Sequence, residues 1–166
     1  MLDSETLRTM AELGIALAGF SGIVAVLGRR LQGEWSSLDR ARLLGLLIPS
    51  FGVVFFSLLP EVIQGARAPG LWLRIAHALL AAYQVGGMLF VLIRAGPALF
   101  ARRADRVVAL LLLGLGIVLI LAQCGVALGF FESFAVPLYV AALVNLLLVS
   151  SMNFVFLLFA SEERAA

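Results

Sequence analysis

The feature that most constrains this chain is a series of long apolar runs. They occupy 10–28, 43–63, 71–93, 107–131 and 136–160. Each is close to the roughly 20 residues that an α-helix needs to cross a hydrocarbon core about 30 Å thick. Strands of a membrane barrel would alternate apolar and polar residues, whereas these runs are unbroken. The sequence therefore predicts an all-α, polytopic integral membrane bundle of five transmembrane helices, forming a single domain over 1–166.

The composition excludes a soluble globular domain. The chain is 63% hydrophobic and 13% charged, against about 45 to 50% apolar and 25% charged residues in soluble domains. Too few polar residues remain to cover a globule of this size. A bilayer requires no polar coat, provided that the backbone satisfies its own hydrogen bonds. The lipid bilayer is thus the first predicted partner.

The first apolar run also allows an alternative membrane topology. It carries Glu12 near its start and is rich in small residues. Such a segment could form a re-entrant or interfacial helix, which would leave four spans and place the N-terminus inside. If it spans, the absence of a positively charged leader before it predicts that it is retained.

The arginines predict the direction of the spans. The connection after the first run holds Arg29, Arg30, Arg40 and Arg42, and the connection after the third holds Arg94, Arg102, Arg103 and Arg106. With Arg164 this gives nine arginines on one side, against Arg8, Arg67 and Arg74 on the other. Because basic residues stay in the cytoplasm, we expect the N-terminus outside and the C-terminus inside. Arginine without lysine suggests a GC-rich bacterial genome, hence a bacterial inner membrane.

Several chemistries lack the residues that they need. Cys124 and His77 are the single cysteine and histidine, so the chain forms no intramolecular disulfide, paired-histidine haem site or histidine-rich metal centre. No nucleophile elbow, Walker loop or zinc-protease motif is present. A net charge of +2 spread over separate arginine clusters does not suggest nucleic acid. We therefore predict no enzyme, no cofactor and no metal.

Polar side chains form one-sided stripes on two neighbouring spans. In the second span Ser50, Ser57 and Glu61 share one helical face, and in the third span Arg74, His77 and Gln84 do so. The short connection makes these spans antiparallel neighbours. An ion pair between Glu61 and either Arg74 or His77 is therefore expected.

These residues predict a polar layer in the outer half of the membrane. Its members are Glu12, Glu61, Arg74, His77 and Gln123. The layer could be a vestibule for an ion, a proton or a quinone-like head group, because ionisable residues inside spans are functional hypotheses. The alternative, which we favour, is that these residues only anchor the helices at the membrane interface.

Two amides lie deeper in the predicted membrane. Gln84 in the third span and Asn145 in the fifth stand at comparable depths. An amide at that depth needs an interhelical partner. We expect these two side chains to contact each other and hold the two helices together, and not to bind a substrate.

Small residues follow one face of the first span. Gly14, Ala18 and Gly22 are spaced by four, with Ala25 beside them. Such a face lets two helix backbones approach closely. It could pack within the monomer, or it could join copies of the chain in a symmetric oligomer.

The functional hypothesis is a homo-oligomeric channel or small transporter for an ion or small solute. The alternative is a non-catalytic accessory subunit of a larger membrane complex, which the short connections and the lack of a soluble domain support. A membrane-embedded enzyme using Arg74 and His77 is a third reading, although it lacks a recognisable nucleophile.

Overall fold

The computed structural model describes residues 4–32, 37–63, 69–99 and 103–162. These residues form α1 (Ser4–Gln32), α2 (Ser37–Ile63), α3 (Pro69–Leu99), α4 (Arg103–Ala127) and α5 (Ala135–Glu162), with a 3₁₀ turn (Glu132–Phe134) before α5. The described part of the chain contains no strand. Each of the five helices is long and apolar enough to cross a membrane. The predicted all-α bundle of five such helices is confirmed.

Helices α2 and α5 run antiparallel. Tyr139 near the start of α5 contacts Phe56 near the end of α2, whereas Asn153 further along α5 contacts Gly45 near the start of α2. Two ends of the bundle follow from this order. The turn end carries the 3₁₀ turn, and the arginine end carries Arg40 and Arg42 at the start of α2.

The first helix is continuous and belongs to the bundle. It packs along α2 and, less extensively, α5, and its Leu7 is buried among residues of those helices. Its length and its packing against two neighbours favour a span over the re-entrant or interfacial segment that the sequence also allowed.

The fourth helix ends earlier than the sequence suggested. Its last residue is Ala127, four residues before the end of the apolar run at 131. Gly129 follows with φ 93° and Phe131 with φ 58°, and the Phe130 N–H donates to the Gly125 carbonyl at 2.8 Å. The left-handed conformation at Gly129 reverses the chain, a common way for helices to end. An apolar run alone does not mark this turn, because its residues remain hydrophobic.

Two prolines interrupt the backbone hydrogen bonds of α2. Pro49 and Pro60 lie inside the helix, and proline cannot donate to the carbonyl four residues earlier. Those carbonyls belong to Gly45 and Phe56. Asn153 Nδ2 donates to the Gly45 carbonyl at 3.3 Å, and the Tyr139 hydroxyl donates to the Phe56 carbonyl at 2.7 Å. Helix α5 thus pairs both carbonyls that the prolines leave free.

The well-packed core lies towards the turn end. It is built by α1, α2, α3 and α5, and α4 contributes no residue to it. Its members are Leu7, Val53, Phe56, Ala76, Leu80, Tyr139, Ala142, Leu143 and Leu146. Below this core, towards the arginine end, the space between the helices is less completely filled.

Candidate functional site: a cavity with an amide end

A cavity of about 170 Å³ lies between α2, α3, α4 and α5 in the arginine half of the bundle. Helix α4 presents Val108, Leu112, Gly116 and Ile120 to it. These residues recur every four positions, so they form one face of the helix. Most of the other lining residues are also apolar. The cavity is therefore mainly apolar.

The deep end of the cavity carries two buried amides. Gln84 and Asn145 both line it and are only 7% and 6% exposed. Gln123 Nε2 donates to Gln84 Oε1 at 3.0 Å. Gln84 Nε2 and Asn145 Oδ1, however, have no hydrogen-bond partner among the described residues. The same is true of Gln123 Oε1, and all three atoms are enclosed by protein, so they lie behind the wall of the cavity.

The other end of the cavity carries a buried arginine. Arg42 is 7% exposed, and its Nη1 donates to the Phe156 carbonyl at 3.5 Å. Its guanidinium also lies 5.1 Å from the centre of the Phe156 ring, within the range of a cation–π interaction. Arg42 is the one charged side chain among the described residues that line the cavity.

Tyr83 forms part of the wall between α2 and α3. Its hydroxyl donates to the Ile48 carbonyl at 2.5 Å, and its ring lies directly against Gly52. The sequence reasoning overlooked both Tyr83 and Tyr139. A signal was available, because a tyrosine hydroxyl inside an apolar span needs a partner.

Comparison with known proteins identifies no relative. No protein-family model matches the sequence, and neither a curated protein nor a solved structure is similar to it. Across the described residues, no group of three or more His, Cys, Asp or Glu side chains could hold a metal ion.

The predicted outer polar layer does not come together as one site. Glu12 is exposed on α1, where its carboxylate lies 3.1 Å from Arg8 Nε, and Glu61 is exposed at the end of α2. His77 and Gln123, in contrast, are fully buried. The glutamates therefore lie on the outside of the bundle, away from the buried polar groups.

The predicted pairing of Glu61 with Arg74 or His77 is wrong. Arg74 forms its ion pair with Glu132, and His77 Nε2 lies 3.0 Å from the Ala135 carbonyl. The reason is the turn between α4 and α5, which brings Glu132 and the start of α5 beside the start of α3. The stripe on α3 therefore faces this turn and α5, and not Glu61.

The predicted partner of Gln84 is also different. The structure pairs Gln84 with Gln123 of α4, while Asn145 lies nearby on the cavity wall without a bond to it. Helix α4 packs closely against α3, so that Gln123 reaches the amide first. A Gln84–Asn145 hydrogen bond would have joined Gln84 Nε2 to Asn145 Oδ1, two atoms that have no partner among the described residues.

The small-residue face of α1 is divided. Gly14 is in tight contact with α2, because an added Cβ would stand 2.9 Å from the Ser50 carbonyl oxygen and from Val54 Cγ2. Ala18 is half-buried, and Gly22 is exposed with no atom within 4 Å of such a Cβ. The side chain of Ala25 lies outside the described residues. One half of the face is thus used within the monomer and the other half is open.

Proposed function

We propose that this chain is a small, non-enzymatic transport protein of a bacterial inner membrane, and that the cavity between α2 and α5 holds its solute. The observation that carries this proposal is a mainly apolar cavity with the amide side chains of Gln84 and Asn145 at one end and Arg42 at the other. Ligand sites are usually concave and mostly apolar, with a few polar groups that orient the ligand.

The shape of the cavity agrees with a solute site. It runs from Arg42 near the arginine end to the amides at mid-depth, where the packed core of Leu80 and Leu143 begins. A compartment in one half of a bundle, closed by side chains in the other half, is what a transporter facing one side of the membrane presents.

Filling the cavity tests the proposal. Gly116 lies on its wall, and an added Cβ would be 3.8 Å from Asn145 Nδ2, so that Gly116→Leu places its side chain in the cavity. Gly114, on the same helix, is exposed and has nothing within 4 Å of its Cβ position. Gly114→Leu is therefore the matched control.

Native mass spectrometry of protein gently extracted from its own membrane gives the readout. The wild type and Gly114→Leu should carry a bound small molecule, and Gly116→Leu should lack it. The released compound should then be taken up by proteoliposomes that contain the wild type or Gly114→Leu, but not Gly116→Leu. If all three proteins carry the small molecule equally and take it up equally, the solute does not pass through this cavity.

A homo-oligomeric channel is the second candidate, favoured by the open half of α1. Gly19 and Gly22 have no heavy atom within 4 Å of an added Cβ, and such faces allow helices to associate closely in membranes. Gly22→Ile should then reduce a homo-oligomer seen by native mass spectrometry, whereas Gly86→Ile on the exposed face of α3 should not. A stable complex with a different protein would instead favour an accessory subunit.

A further inference from the structure

We infer that the cavity is a lipid site, which takes one acyl chain of an anionic phospholipid whose phosphate lies at the arginine end. This inference rests on the proposed function and names the class of its solute. Its supports are the opening of the cavity to the outside of the bundle, the length of its wall and the charges around its rim.

The protein covers only part of the cavity. On α4, Gln123 in the turn half is buried, whereas Leu112 and Gly116 on the same face line the cavity and are only half-buried. Helix α3 shows the same change, from the buried Gln84 to the half-buried Met88. Around the cavity, α4 and α5 pack on each other less extensively than the other neighbouring helices do. The cavity is therefore open to the surroundings of the bundle.

An open apolar cavity in a membrane is filled by what surrounds it. Most of its wall, such as Leu92, Leu113 and Val149, offers water no hydrogen bond, and apolar cavities stay dry for this reason. An acyl chain needs no hydrogen bonds and gains van der Waals contacts with these side chains. The chemistry of the wall therefore favours a lipid chain over water.

The wall has the length of one leaflet. On α4 the lining residues run from Val108 to Ile120, and at about 1.5 Å per residue this stretch is about 18 Å long. One half of a hydrocarbon core of about 30 Å is about 15 Å thick. An acyl chain that enters at the arginine end thus reaches the amide end, at Gln84 and Asn145, within its own leaflet.

Positive charge surrounds the rim of the cavity. Arg42 lies on the wall. Arg94 on α3 and Arg106 on α4 are exposed and lie one helical turn beyond the lining residues of their helices. Among the side chains that the structure describes at this end, the buried Asp39 is the one carboxylate. Arginines thus outnumber carboxylates at the rim, and basic pockets between transmembrane helices bind anionic lipid head groups.

The methionines test whether the chain of such a lipid lies in the cavity. Met88 and Met152 line it, whereas Met10 packs against the core at the turn end. The protein is labelled with ¹³C-methyl methionine in phosphatidylcholine nanodiscs that contain a small fraction of phosphatidylglycerol with a nitroxide on one acyl chain. This lipid should broaden the signals of Met88 and Met152 more than nitroxide-labelled phosphatidylcholine does at the same fraction. Both lipids should broaden the signal of Met10 equally.

Two variants separate the acyl chain from the head group. Gly116→Leu fills the cavity and should abolish the extra broadening, whereas Gly114→Leu should retain it. Arg106→Gln should lower the preference for phosphatidylglycerol about fivefold, the effect of one arginine near the membrane surface. Arg8→Gln, which removes an exposed arginine at the turn end of α1, should leave the preference unchanged. An unchanged chemical shift of Met10 shows that each variant is folded.

Several results would overturn the inference. Equal broadening of Met88 and Met152 by the two labelled lipids would show that the cavity does not select an anionic lipid, and the same head-group effect at Met10 would show general contact with the bilayer. Extra broadening that persists in Gly116→Leu would place the lipid outside the cavity.

Transport is measured separately, as movement of fluorescent phosphatidylglycerol between the leaflets of proteoliposomes. Selective binding without such movement would refute the proposed transport and leave the lipid class standing. Uptake of a compound other than a lipid that Gly116→Leu abolishes would refute the lipid class and leave the proposed transport standing.

Discussion

At the scale of single residues, polar side chains in this bundle act mainly by pairing backbone carbonyls. The Tyr139 hydroxyl binds the Phe56 carbonyl, and the Tyr83 hydroxyl binds the Ile48 carbonyl. His77 likewise lies against the Ala135 carbonyl. Within a membrane no water replaces these partners. Each bond therefore fixes the rotation of one helix relative to another.

Tyr139→Phe tests one of these contacts. The change keeps the ring, whose centre lies 5.3 Å from that of His77, and removes the hydroxyl that pairs the Phe56 carbonyl. We expect the free energy of unfolding in mixed micelles to fall by about 0.6 kcal/mol and by no more than about 1.7 kcal/mol, the average and the largest value measured for interhelical hydrogen bonds in a membrane protein. Ser57→Ala, which removes a buried hydroxyl without a described partner, should cost nothing. An equal loss in both variants would contradict this account.

Gly52→Ala tests the close contact between α2 and α3. An added Cβ would overlap the Tyr83 ring, so the ring must move and its bond to the Ile48 carbonyl must weaken. Overpacking of this kind costs about 1 to 3 kcal/mol, measured by the same unfolding titration. The cost should vanish in a Tyr83→Ala background. Gly86→Ala, with open space at its Cβ position, should be neutral or slightly stabilising.

At the scale of elements, α2 and α5 form one unit because side chains of α5 donate hydrogen bonds to unpaired backbone carbonyls of α2. Helix α2 contains two prolines, and α5 provides Asn153 and Tyr139 to the carbonyls that these prolines leave free. Between them, Ser50 Oγ and Ser150 Oγ lie 3.1 Å apart, and both bind the Leu46 carbonyl. Helix α4, in contrast, packs mainly on α3 and α5, and one of its faces lines the cavity.

A double-mutant cycle on Pro49 and Asn153 tests this complementarity. Asn153→Ala should destabilise the wild type by about 0.6 kcal/mol and by no more than about 1.7 kcal/mol, since the Gly45 carbonyl loses its donor. In a Pro49→Ala background, residue 49 regains an N–H that can pair with this carbonyl. The same Asn153→Ala change should then cost less. Identical costs in the two backgrounds would show that the proline does not explain the Asn153 contact.

At the scale of the whole molecule, the two halves of the bundle differ. The turn half holds the core and the Arg74–Glu132 ion pair, and the arginine half holds the cavity and Arg42. The outer surface of both halves is rich in exposed leucine, isoleucine and phenylalanine, as a multi-pass membrane protein requires. Which half faces the cytoplasm decides from which side of the membrane the proposed solute would enter the cavity.

Cysteine labelling tests the proposed orientation. In a Cys124→Ala background, Ser133→Cys in the exposed turn before α5 should react with an impermeant maleimide on intact spheroplasts. Ser161→Cys, near the C-terminal end of α5, should react only after permeabilisation. This outcome follows from the nine arginines on the proposed cytoplasmic side. The reverse pattern would place the cavity on the outer side of the membrane.

The sequence by itself determined the number and type of the helices. Runs of apolar residues at membrane length leave the backbone no partner except itself, so each run becomes a helix and short connections make neighbours antiparallel. Within these limits the sequence also located Gln84 and Asn145 as amides deep in the bundle, and both are buried. It could not locate the end of α4, because the turn at Gly129 lies inside an apolar run.

Only the tertiary structure decided which polar groups meet. Glu132 pairs with Arg74 in place of Glu61, and Gln123 bonds Gln84 in place of Asn145. In a soluble protein the apolar stripe of a helix shows which face turns inward. Here lipid and protein interior are equally apolar, so a helix such as α5 carries no such stripe and its rotation is set by packing. The cavity and the unpaired amide atoms behind its wall are consequences of that packing.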